Sequence, residues 1–89
     1  MILFHIFSTL LLLDIIRDYF GIRNFGLRVK QLRLAKRLSQ EALAFEANIE
    51  IVQLSRIERG VINTSISQAF NLANALNLNV MELFNFSEL

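Results

Sequence analysis

From Ser39 onward, residues that start or stop helices recur about every ten positions, and this punctuation constrains the fold more than any other feature of the chain. Ser39 offers an N-cap oxygen to a helix over Gln40–Ala47. Asn48 follows it, one of the few residue types besides glycine that accepts the left-handed backbone of a sharp turn. A further helix from about Ile51 to Arg59 stops at Gly60. Ser65 with Gln68 forms a capping box for the next, whose inward positions read as Ile66, Ala69, Leu72, Ala73 and Leu76, with Asn77 to close it. Asn79 with Glu82 repeats the box for a last turn or two through Phe84. Ahead of Ser39, Phe25, Val29 and Leu32 at i, i+4 and i+7 give a helix an inward face. No stretch of four or more residues alternates as a strand, so an all-α fold with five short helices after Gly21 is expected.

At 89 residues such a chain buries only about 60–65% of its unfolded surface, enough for one small core. It has no cysteine and a single histidine. Disulfides, thiolate metal sites, a Cys nucleophile and a His cluster are all excluded, so no catalytic residue, metal or cofactor is expected. His5 reads as a partly buried or terminal histidine.

Composition is uneven along the chain. Fourteen of the first 20 residues are apolar, against 54% overall, and six bases with no acid lie between Arg23 and Arg37. The net charge of +1 hides that basic block, because two bases and six acids follow it. The apolar front lacks a leading base and a small-residue cleavage site, which disfavours a signal peptide. Its twelve-residue run, Ile2–Leu13, covers under about 20 Å of a roughly 30 Å hydrocarbon core, which disfavours a membrane span. On a helical wheel Ser8, His5 and Thr9 lie nearly opposite Asp14, Arg17 and Asp18, so Ile2–Phe20 carries no single apolar stripe. The expectation is an additional hydrophobic N-terminal helix over residues 1–21, packed on the rest of the chain or on a second copy. Gly21 and Gly26 are read as bracketing a joint, Ile22–Phe25, ahead of a domain over residues 22–89.

The segment Gln40–Glu58 is the most specific. Leu43, Ala47, Ile49, Leu54 and Ile57 are apolar, Ala44 is small, and Asn48 stands at the corner, the set that two helices crossing at roughly 90–120° through a tight turn require. Together with Ser39-Gln40-Glu41, Leu54 through Gly60, Asn63 and the Leu72-Ala73 and Ala75-Leu76 pairs, it resembles the helix-turn-helix of phage Cro/repressor-type (lambda-repressor-like) bacterial regulators. The resemblance covers about Phe25 to Phe84. Asn48 departs from the usual turn glycine, Thr64 from a common proline, and Glu50 from a Ser, Thr or Asp cap.

The resemblance implies that the second motif helix enters the major groove. Ile51, Val52, Ser55 and Arg56 are then the base-contact candidates. Arg56 suits bidentate bonds to guanine, and Ile51 and Val52 suit thymine methyls. Glu50 is read as the helix cap. Gln40, Asn63, Thr64, Ser65, Arg28, Lys36 and Arg37 are phosphate-contact candidates, and Arg33 with Glu58 is the family's structural ion pair. The implied function is a cytoplasmic, dimeric transcriptional repressor that binds double-stranded DNA. The alternative is an antitoxin-like or membrane-tethered partner-binding module using residues 2–20. Leu27 and Leu34 lie off the core face of their helix, and residues 2–20 are expected to cover them or to build a dimer interface with Phe70, Phe84 and Phe86.

Overall fold

The computed structural model describes the backbone over residues 2–89 and the side chains over residues 8–89, so the reading of His5 lies outside the described side chains. Four α-helices, α1 (Ile2–Ala35), α2 (Gln40–Ala47), α3 (Ile51–Glu58) and α4 (Ile66–Ala75), precede two 3-10 turns, Val80–Phe84 and Phe86–Glu88. No strand occurs among the described residues.

The turn chemistry follows the side chains. Ser39 Oγ accepts from the Ala42 N–H at 3.0 Å, Ser65 Oγ from the Gln68 N–H at 3.1 Å, and Asn79 Oδ1 from the Met81 N–H at 2.9 Å. Asn48 and Asn77 both take the left-handed conformation at φ 56°, as does Arg37 at φ 58° where α1 gives way to α2. Glu50 holds the cap position of α3 by its extended backbone, but its side chain makes no capping bond.

Two expectations are corrected. The fifth helix is a 3-10 turn, too short to propagate i to i+4 bonds. No joint separates Gly21 from Gly26, since α1 runs through both. A helical glycine costs only about 1 kcal/mol relative to alanine, which the packed C-terminal half of α1 outweighs. At roughly 51 Å, a 34-residue helix matches the 53 Å long axis of the molecule. Its residues 8–20 stay exposed and do not fold back on the core, so Leu27 and Leu34 remain uncovered.

Phe25 and Val29 of α1 meet Leu43, Ala44 and Ala47 of α2, Leu54 and Ile57 of α3, and Ala69, Leu72, Ala73 and Leu76 around α4, with Leu83 closing the base. Ile66 shares the inward face of α4 but stands one turn beyond the core and is 78% exposed. The C-terminal turns are strapped to α1 by Arg28, whose Nε and Nη2 donate to the Glu82 carbonyl and carboxylate at 2.8 and 3.1 Å. Gln31 extends the strap by donating to the Glu88 carbonyl at 2.7 Å. Phe84 adds a tilted ring contact on Phe25, with centroids 5.1 Å apart.

Two features set the position of α3 on α1. At Gly26 the helices approach so closely that a Cβ would collide with the Ile57 carbonyl oxygen and stand 3.0 Å from that of Glu58. One heptad on, buried Arg33 donates from Nε and Nη2 to the two carboxylate oxygens of buried Glu58 at 2.7 and 3.0 Å. Its Nη1 donates to the Leu38 carbonyl at 2.8 Å, so the guanidinium also holds the turn into α2.

Gly26→Ala is expected to destabilise the fold by about 2–3 kcal/mol, because the obstructing atoms are backbone. Gly21→Ala meets nothing within 4 Å and should stabilise by about 0.5–1 kcal/mol. Urea unfolding followed by circular dichroism compares the two, and equal effects would sink the close-approach argument. Glu58→Ala strands a buried guanidinium and should cost about 3–5 kcal/mol, whereas Arg33→Met with Glu58→Leu should recover most of it.

Candidate nucleic-acid interface

Burying Leu54, Ile57 and Glu58 turns the opposite side of α3 outward. Ile51 and Val52 there are 40% and 56% exposed, Ser55 is half-buried and Arg56 is exposed. At 100° per residue these four fall within one arc of about 140°, the outward face of a two-turn helix. That face combines a guanidinium, a hydroxyl and two branched apolar groups, chemistry suited to the edges of base pairs. Arg59 lies in the same arc, one turn after Ser55, and is exposed. Its Nε donates weakly to the Ser55 carbonyl at 3.3 Å, which leaves the other guanidinium donors directed to solvent. Arg59 falls outside the base-contact candidates read from sequence, where it is only the last residue of the helix that stops at Gly60. The spacing Val52, Ser55, Arg56, Arg59 at i, i+3, i+4 and i+7 was the signal available.

Gln40 opens α2, and its Nε2 donates to Glu58 Oε1 at 3.0 Å. The buried pair thus orients an amide at the start of the first motif helix. One N–H and the carbonyl oxygen of Gln40 stay available to a ligand. Lys36 and Arg37 are exposed on the turn between α1 and α2, within four residues of Gln40. This junction therefore gathers two cations and an oriented amide beside the buried clamp.

The other phosphate-contact candidates are placed differently. Asn63, Thr64 and Ser65 line a groove of about 630 Å³ between α1 and the start of α4, with Ile22, Phe25 and Phe84. Ser65 Oγ is engaged as the α4 cap and retains only its O–H to donate. Arg28 is corrected outright. It is 5% exposed, with its donors directed to Glu82 and Gln31, so it faces the C-terminal strap and has no path to a phosphate. Nothing in the local spacing of α1 separates Arg28 from Lys30, since the acceptor lies 54 residues away.

Comparison with known proteins places this geometry in a family. Residues 29–83 match the family model described as helix-turn-helix. Control protein C.BamHI of Bacillus amyloliquefaciens is 39% identical over 64 residues, covering 71% of this chain and 79% of that protein. The crystal structure of the restriction-modification controller protein C.AhdI from Aeromonas hydrophila superposes with a TM-score of 0.73 at 41% identity, over 74% of this chain and all of that one. The restriction-modification controller protein C.Esp1396I superposes with a TM-score of 0.69 at 27% identity, over 75% of this chain and 86% of that one. Among the described residues no helix is long and apolar enough to cross a membrane. A four-helix fold that presents α3 outward, matched over most of its length by a family model and by relatives of this identity, belongs to the helix-turn-helix family of DNA-binding transcriptional regulators.

Proposed function

We propose that this chain is the control protein of a restriction-modification system, a cytoplasmic, non-enzymatic homodimer that represses or otherwise tunes transcription by reading DNA with α3. The observation that carries the reading is the outward α3 face, held against α1 by Gly26 and the Arg33–Glu58 pair. The 39% and 41% identity to proteins named as control or controller proteins supports the restriction-modification role.

In this reading residues 22–89 form the DNA-binding unit and residues 1–21 an appended element. Ile51, Val52, Ser55 and Arg56 meet base edges, Arg56 by paired bonds to a guanine. Gln40, Lys36, Arg37 and Arg59 hold phosphates on either side of the groove, and Asn63, Thr64 and Ser65 contribute from the loop before α4. A single unit spans few base pairs, so two half-sites about 10 bp apart are expected.

Selection from a random duplex pool supplies the operator for testing. Arg56→Ala is then expected to lose about 1–3 kcal/mol of discrimination at one base position. Lys36→Ala should weaken binding evenly across sequences and lower the log–log salt slope by about one. A wild-type slope near zero would remove the DNA-binding reading. The selected site should also recur upstream of restriction or modification genes in the source genome. Its absence there would leave a regulator with other targets.

A further inference from the structure

We infer that the apolar arc of α1 over residues 11–20, with Arg23 and Lys30 on the same line, is a lipid-surface site that lies in the headgroup boundary of a bilayer carrying anionic lipids. The inference rests on none of the DNA-contact assignments.

At 100° per residue, the arc runs through about 200° from Leu11 at one edge to Leu13 and Phe20 at the other, with Ile16 and Tyr19 between. These five side chains are 40–62% exposed. Asp14, Arg17 and Asp18 fill the remainder of the circle, with Arg17 paired to Asp14. Ser8 and Thr9 occupy the arc's side of the helix one turn earlier, so the apolar face begins at Leu11. Toward the core it is continued by two cations: Arg23 and Lys30 lie near its centre line, and both are exposed. Six bases and no acid stand between Arg23 and Arg37, but Arg28 and Arg33 are buried, and Glu82, which packs on this half of α1, is paired with Arg28 off that line.

The order along the helix matches the strata of a membrane surface. Aliphatic side chains come first, and the Tyr19–Phe20 pair follows, with ring centroids 5.6 Å apart in an edge contact. Aromatic rings of this kind settle at headgroup level. Arg23 comes one turn later and Lys30 two turns after that, where cations meet anionic headgroups. No helix among the described residues is long and apolar enough to cross a membrane, but lying in the boundary requires only one apolar face.

Other occupants leave part of the arc unmatched. A second copy laid along α1 in either direction encloses Arg23 and Lys30, and the arc holds no acid to receive them. An arc of this width also exceeds the narrow seam that one partner helix covers. Duplex DNA would take the two cations and leave the apolar side chains in water. An anionic bilayer receives both, because the acyl boundary takes the apolar arc while the long basic side chains reach the phosphates.

Tyr19 is the chain's one tyrosine and there is no tryptophan, so intrinsic fluorescence reports the arc itself. The full chain is mixed with vesicles of phosphatidylcholine alone, or equimolar with phosphatidylglycerol, and floated on a density gradient. It is expected to float with the anionic vesicles and only weakly with the neutral ones, and iodide quenching of Tyr19 should fall several-fold on binding. Arg23→Gln with Lys30→Gln should weaken partition about 30-fold, about fivefold for each cation. Ile16→Glu should abolish it with helical circular dichroism retained, whereas Phe45→Ser, on exposed α2 surface, should leave it unchanged. Flotation that leaves Tyr19 fully open to iodide, or that survives Ile16→Glu, would overturn the arc as the contact face. Failure to float with either vesicle would overturn the site. In that event, loss of random-duplex affinity in the Arg23 and Lys30 variant assigns the cations to DNA, and a Tyr19 shielded in a lipid-free dimer assigns the arc to a second copy.

Discussion

The buried contact between Arg33 and Glu58 is the constraint on which the arrangement of the other helices depends. One guanidinium engages both carboxylate oxygens of α3 and the Leu38 carbonyl, and the same carboxylate receives Gln40 from the start of α2. Three helices and one turn therefore meet at a single charged cluster. Desolvating two charges offsets most of their attraction, so the pair adds little net stability. Its effect is on geometry. A bidentate fork fixes distance and rotation together, and any slip of α3 along α1 would strand a charge in the core.

Gly26 completes that constraint one heptad earlier. Without a side chain there, the α1 backbone comes close enough to the Ile57 and Glu58 carbonyls for the Arg33 fork to reach its acceptor. Two contacts about 10 Å apart along α1, one steric and one ionic, leave α3 no freedom to roll. The outward exposure of Ile51, Val52 and Arg56 is a consequence: once Leu54, Ile57 and Glu58 are buried, that arc has nowhere else to point. Gln40 inherits its orientation from the same carboxylate, which links the start of α2 to the outward side of α3.

What could be read from the residues was local chemistry. Ser39, Ser65 and Asn79 cap helices, and Asn48 and Asn77 turn them, because each acts on backbone atoms two or three residues away. Gly26 was misread for the same reason. Its signature, an absent side chain, is shared by a joint and by a close helix crossing, and only the position of Ile57 tells them apart. Arg28 failed on distance, since its acceptor Glu82 is far along the chain, and Glu50 takes the cap position as read, though such a position does not oblige the side chain to bond. The outward arc of α3 was legible because its buried complement, Leu54 and Ile57, is apolar. Arg59 was passed over because it is the last residue before the Gly60 stop, and a helix end can still lie on the outward arc.

The continuity of α1 through Gly21 gives its two halves a mechanical relation that a joint would have removed. Phe25, Gly26, Val29 and Arg33 hold the C-terminal half against the core, so the N-terminal half projects as a continuous helical extension of the element that positions α3. A contact made anywhere along residues 12–20 therefore sets the direction of α3 through one helix and two fixed contacts, with no linker to absorb the difference. In this architecture α3 presents the outward face, and the packed half of α1 fixes the direction in which that face points.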